Sequence, residues 1–256
     1  MRPDPAEGVF ETMLVRDGRV QALARHLDRL AHSIAALYGE RLPPDLPDRV
    51  RAAAAGLPRE HRLRVDVVLG EEVAITARPV AADTRRPVTL EPFVVAGGLG
   101  PHKWRDRRLL DIASRYRGAI SSREAGSRDG APDGAGGGAR SGGGAGATPL
   151  LVDADGMVLE GAWGNLWVLE GDTLVTPPAD GRILPGVTRA LLLELAPALG
   201  YHAREAPVSL ERARRAPATF MTSAIRLAVP ATLATCPAPA RAADVHRICT
   251  ALGAHS

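Results

Sequence analysis

Ten glycines fall within the 21 residues Gly126–Gly146, among alanines, serines and a few charges. Such a run has almost nothing to bury and cannot offset the entropy of ordering it. It reads as a disordered insertion at about 122–147. Within it, Gly134-Ala135-Gly136-Gly137-Gly138-Ala139 formally fits a dinucleotide fingerprint, but no strand leads in and no helix follows. Whatever folds must be built from the chain on either side, and each flank is long enough for a small domain.

The N-terminal flank alternates strand and helix signals. Val9–Val15 and Arg19–Ala22 read as a hairpin around Asp17-Gly18, a pair that tolerates positive φ. Leu27, Leu30, Ile34 and Leu37 then recur at helical spacing. Asp48–Leu57 reads as a second helix, and Leu63–Leu69 with Val73–Ala77 as a second hairpin. These make a small α+β domain over 1–88. Residues 89–102 are read as a connector that opens on a strand at Val88–Val95 and continues through Gly97-Gly98-Leu99-Gly100. A larger α/β domain over 103–256 begins with an arginine-rich helix from about Trp104 to Arg117. After the insertion come short strands at Pro149–Val152, Met157–Glu160, Asn165–Leu169 and Thr173–Thr176, suggesting a compact sheet or half-barrel. A helix opens at Pro185-Gly186-Val187-Thr188, strands follow at Thr219–Thr222 and Val229–Leu233, and a helix closes the chain at Ala242–Leu252.

Several classes of function are disfavoured. The longest apolar stretch, Leu191–Leu199, is broken by Glu194 and Pro197 and falls short of the roughly 18 residues of a membrane span. No apolar signal core follows Met1. Cys236 and Cys249 match no metal-ligand or disulfide framework, so a reducing, cytoplasmic setting without a metal is expected. The formal net charge is +3, with arginines scattered among acids, so nothing calls for nucleic acid.

One count carries chemical information. Of 32 basic Lys+Arg residues, only Lys103 is lysine. Where arginine stands everywhere a permanent charge suffices, a surviving lysine suggests a task that arginine cannot perform, because an amine can lose its proton and act as nucleophile or base. The alternative is a chance survivor on the surface.

Four segments together resemble the fold-type IV pyridoxal-phosphate enzymes, the group of branched-chain and D-amino-acid aminotransferases and 4-amino-4-deoxychorismate lyases. They are Gly8-Val9-Phe10-Glu11-Thr12, His26-Leu27-Asp28-Arg29-Leu30, His102-Lys103 after the glycine connector, and Glu160-Gly161-Ala162-Trp163-Gly164-Asn165-Leu166-Trp167 followed by Ile183-Leu184-Pro185-Gly186-Val187-Thr188-Arg189. The resemblance implies a two-domain α/β fold like that of D-amino-acid aminotransferase, with pyridoxal 5'-phosphate as cofactor. Lys103 would be the catalytic amine joined to the cofactor aldehyde. Glu160 would face the pyridine nitrogen, Arg29 would grip the phosphate, and Gly186, Val187 and Thr188 would complete the phosphate cup. Asn165 would support the Glu160 strand end. Thr222, Ser223 and Ala224 would border the cofactor, with Ala224 standing where relatives often carry a hydroxyl. Thr12 and Arg107 are expected to meet substrate, although Arg107 and Arg108 could instead pair with Asp106 and Asp111. His26 and His102 receive packing or hydrogen-bonding roles.

Within that group, Pro101-His102-Lys103-Trp104 and Ile183-Leu184-Pro185-Gly186 look most like aminodeoxychorismate lyases, which implies folate synthesis. A small-molecule amine would be the substrate. The resemblance also implies a homodimer, and an aminodeoxychorismate synthase as fusion or partner. Only seven residues precede Gly8, where relatives carry a further strand, so a fusion partner or a shortened first domain is expected. Two alternatives stand beside the lyase: an aminotransferase acting on branched-chain or D-amino acids, and a non-catalytic arginine-rich binding protein on the same scaffold.

Overall fold

A computed structural model describes residues 2–115, 147–234 and 241–255. The expected glycine-rich insertion lies almost entirely outside the described residues, as does Cys236. Among those described, two sheets organise the chain.

The first sheet has the order β2-β1-β3-β4, all antiparallel, from β1 (Val9–Arg16), β2 (Arg19–Val20), β3 (Glu60–Val67) and β4 (Ala74–Pro79). Asp17 and Gly18 both adopt positive φ, which closes the first hairpin with the right-handed twist its strands need. Helix α1 (Leu23–Tyr38) lays Leu27, Leu30 and Ile34 onto this sheet, against Val9, Met13, Leu63 and Val65. Helix α2 (Leu46–Ala54) adds Leu46 and Val50 to the same core. It starts two residues earlier than the sequence suggests, because Pro47 suits a first turn whose amide would have no partner.

The second sheet runs β10-β9-β8-β11-β12-β5-β6-β7. Its strands are β5 (Val88–Val94), β6 (Thr148–Val152), β7 (Val158–Gly161), β8 (Asn165–Glu170), β9 (Thr173–Thr176), β10 (His202–Glu205), β11 (Ala218–Ser223) and β12 (Leu227–Leu233). Strand β5, anticipated at the start of a connector, runs parallel to both β12 and β6 inside this sheet. Strands β7 and β8 stand five positions apart in the sheet order. Laid flat that separation would be about 24 Å, yet the connection from Gly161 to Asn165 reaches only about 14 Å. The sheet must therefore curl, and Gly161 and Gly164 close the turn with reciprocal backbone bonds of 2.8 and 3.3 Å. Trp167 and Phe220 stack at 5.9 Å on one face, under α4 (Val187–Leu195) and α6 (Ala242–His255). No described helix is long and apolar enough to cross a membrane.

Residues 108–115 form helix α3, four residues later than Trp104. The delay has a physical cause. Lys103 to Arg105 run along the beginning of β1 instead: Phe10 N donates to Lys103 O at 2.9 Å, Arg105 N donates to Gly8 O at 3.0 Å, and Val9 bridges Trp104. Asp106 then receives Arg108 N on its carboxylate at 3.0 Å, a capping contact that starts the helix. The short polar strand β10 and helix α5 (Leu210–Arg215) carry no pattern that the sequence reading registered.

Candidate active site

The segment holding Lys103 is fixed by the first sheet, and its side chain enters a cavity of about 520 Å³ between the two sheets. Gly8, whose carbonyl accepts from Arg105 N, sits at φ +89°, and a Cβ there would come within 2.3 Å of Val67 O, so the close approach of β1 to β3 at this point requires glycine. Lys103 Nζ lies 5.0 Å from the centre of the Phe10 ring. Burial, and then the nearby Arg29 guanidinium, bring its pKa down to about 8. Its amine therefore loses a proton far more readily than that of a surface lysine.

Glu160, at the end of β7, borders the same floor beside Lys103. Burial pushes its carboxyl up to about 8. The only hydrogen bond to it among the described residues is a long one, from Leu184 N at 3.3 Å to each oxygen. Asn165, at the start of β8, holds the other side of that peptide region, with Nδ2 donating to Leu184 O at 2.9 Å. Together these two side chains anchor the loop that delivers Gly186 to the N-terminus of α4. Nothing larger than glycine fits there, since a Cβ at Gly186 would lie 2.0 Å from Asn165 Oδ1.

Arg29, on α1, reaches across to that helix start. Its Nη1 donates to Pro185 O at 2.9 Å, while Nε and Nη2 meet Glu11 Oε1 and Oε2 at 2.7 and 2.8 Å. Glu11 also accepts from His26 Nδ1 at 2.8 Å, the tautomer that the bond requires. Arg29 and His26 hold the Glu11 carboxyl far below the usual carboxylate range despite its burial. Sequence reading quoted Glu11 within a motif and gave it no role. Its signal was available: it is the sole charge in Val9–Val15, an otherwise mostly apolar strand.

Thr12, Arg107, Val187, Thr188, Thr222, Ser223 and Ala224 also line the cavity. Arg107 Nη2 donates to Ala162 O at 2.5 Å, whereas Arg108 turns outward to Asp106. Thr222 Oγ1 accepts Trp167 Nε1 at 3.0 Å, and Ser223 Oγ accepts Arg226 N at 3.3 Å, so both hydroxyls already carry structural bonds. His102 Nδ1 meets Ser33 Oγ at 3.0 Å, away from the reacting end.

Comparison with known proteins adds a family to this geometry. The model for Amino-transferase class IV matches residues 8–109 and 144–234. The chain belongs to that family. Its members are pyridoxal-phosphate enzymes, so this class IV chain is one as well, and the degenerate binding scaffold loses its support. It is 31% identical to the Bifunctional aminodeoxychorismate lyase / D-amino acid transaminase of Mycobacterium tuberculosis, with 76% of this chain and 70% of that protein covered. It is 37% identical over 73 residues to the branched-chain-amino-acid aminotransferase of Escherichia coli, 28% of this chain and 24% of that protein. A PLP-bound structure of a hypothetical aminotransferase from Mycobacterium tuberculosis shares the fold, with a TM-score of 0.76 at 23% identity over 96% of this chain and 89% of that one.

The cavity suits that cofactor on its own terms. Glu160 is a buried carboxyl with one weak partner, and a protonated ring nitrogen would complete it. Val187 and Thr188 start a nine-residue helix that has no side-chain cap, so their amides remain for a phosphate beside Arg29.

Proposed function

We propose that this chain is a lyase that converts 4-amino-4-deoxychorismate to 4-aminobenzoate and pyruvate. One observation carries the reading: likeness to the bifunctional lyase and transaminase covers 76% of the chain and so takes in both of its flanks, whereas likeness to the branched-chain enzyme extends over 28%. The aligned stretches span only 16% to 24% of the length of such branched-chain relatives.

The proposal gives each site residue a role. Arg29, the α4 amides and the Thr188 hydroxyl would hold the phosphate, and Glu160 would keep the ring nitrogen protonated. Bound there, pyridoxal phosphate supplies an aldehyde that captures amines and a ring that draws electrons from the amine-bearing carbon. Lys103 Nζ, with its lowered pKa, would take the proton from that carbon. The bond from the neighbouring carbon to the enolpyruvyl oxygen breaks, the ring becomes aromatic, and the same proton can pass to the departing enolpyruvate. One substrate thus yields one 4-aminobenzoate and one pyruvate, without an oxidant.

The deciding experiment supplies 4-amino-4-deoxychorismate to the cofactor-loaded protein and measures both products. Equal amounts are expected. No 4-aminobenzoate, together with amino transfer from a D-amino acid to a 2-oxo acid, would replace the lyase with the transaminase that the same relative also names. We further propose a homodimer, for which light scattering should give twice the chain's 26.9 kDa. A fully active monomer would overturn it. The substrate would come from an aminodeoxychorismate synthase.

A further inference from the structure

Two arginines on the cavity wall have no role in holding the cofactor. Arg62 on β3 stands directly opposite Arg78 on β4, and both side chains line the cavity. Like charges at directly opposed strand positions destabilise a sheet. The neighbouring cations are compensated: Arg29 by Glu11 at 2.7 Å, and Arg64 by Asp66 at 2.6 Å. Among the described residues, neither the Arg62 nor the Arg78 side chain has a hydrogen bond or ion pair, and no carboxylate lines the wall on which they stand; Glu160 lies at the floor beside Lys103.

Their placement relative to the reacting end is ordered. Lys103 Nζ and the Arg64 guanidinium share the Phe10 ring, at 5.0 and 3.7 Å from its centre. Arg62 lies two residues along the same face of β3, about 7 Å farther on. Arg64 is half-buried, whereas Arg62 and Arg78 are exposed, so the row leads from the amine toward the mouth. An α-amino acid with one carboxylate keeps that group beside its amine and cannot reach them. A substrate with a second, remote carboxylate can.

We propose that Arg62 and Arg78 form an anion subsite at the mouth of the cavity that binds a substrate carboxylate remote from the reacting amine, selecting dicarboxylate substrates. The inference rests on the lyase reading for its substrate, since 4-amino-4-deoxychorismate carries two carboxylates. The pair tolerates its own repulsion because a bound carboxylate accepts from both guanidinium groups.

Chorismate is a suitable probe, having the same two carboxylates and a hydroxyl where the amine would be. Calorimetric titration into the cofactor-loaded protein should give at least about tenfold weaker binding for the Arg62→Gln/Arg78→Gln double variant. The Arg62→Lys/Arg78→Lys variant should retain most of the affinity. An unchanged cofactor titration would show that the glutamine variant is folded. Chorismate affinity within twofold of the parent overturns the subsite, and so does a variant that alters dimer mass while binding chorismate normally, which would assign the pair to an interface. Should the parent yield no 4-aminobenzoate, the lyase reading fails alone. The subsite still predicts that glutarate binds better than butyrate, and that the glutamine variant loses this preference. Equal binding of the two acids by the parent would overturn it.

Discussion

Lys103→Arg is expected to lower turnover by about 10⁴-fold or more, the scale of removing a group that is both nucleophile and proton carrier. Arginine keeps the positive charge and much of the volume, so the cavity loses only the capacity to give up a proton. Burial and Arg29 bring the lysine amine down to about 8, and no comparable shift makes a guanidinium neutral near physiological pH. Borohydride reduction of the cofactor-loaded parent, followed by peptide mapping, should find the cofactor on Lys103. The variant should give no such adduct, while its thermal unfolding remains cooperative. Retention of more than a few per cent of activity would sink the assignment, because Lys103 is the chain's only lysine.

That lysine was legible because the composition is so lopsided. The packing of α1 was legible as well: Leu27, Leu30 and Ile34 announce a helix with one apolar face, and the structure buries all three. What local pattern cannot express is a contact made across the chain. Trp104 to Arg107 looks like the start of a helix, yet Lys103 and Arg105 spend their backbone groups on β1, some 95 residues earlier, and α3 has to wait for Asp106. Strand β10 is mostly exposed, so it lacks the alternation that marks a half-buried strand, and within the sheet it pairs only with β9. Gly186 was legible as part of a helix start. That its missing Cβ makes room for the Asn165 amide, and so helps Asn165 and Glu160 fix Leu184 from both sides, required the fold. Arg189 closes a quoted motif and received no role there, yet it is buried and donates to Pro177 O at 2.8 Å beside Glu205.

Glu11→Ala should be the most destabilising single change in the site, costing about 3–5 kcal/mol, because it leaves Arg29 and His26 buried without their carboxylate. For a domain of this size that corresponds to a fall in Tm on the order of 10 °C. Cofactor affinity should drop as well, since two of the three hydrogen bonds that aim Arg29 at the α4 terminus come from Glu11. Glu11→Gln should fall between, as it preserves an acceptor but not the charge. The effect should also depend on pH in a definite direction. Arg29 and His26 hold the folded Glu11 far below the roughly 4.3 of an unfolded glutamate, so its contribution is full above that value, shrinks as pH falls below it, and is lost only once pH passes the much lower folded value. His26 is depressed by burial, so its folded form resists the proton that the unfolded chain takes up near 6.5, and acid begins to cost stability from there downward. Urea titrations of parent and Glu11→Ala should therefore differ most near pH 7, and the gap should begin to narrow below about pH 4 and keep narrowing through about pH 3. A gap that stays constant across that range would mean that Glu11 contributes through packing rather than through its charge.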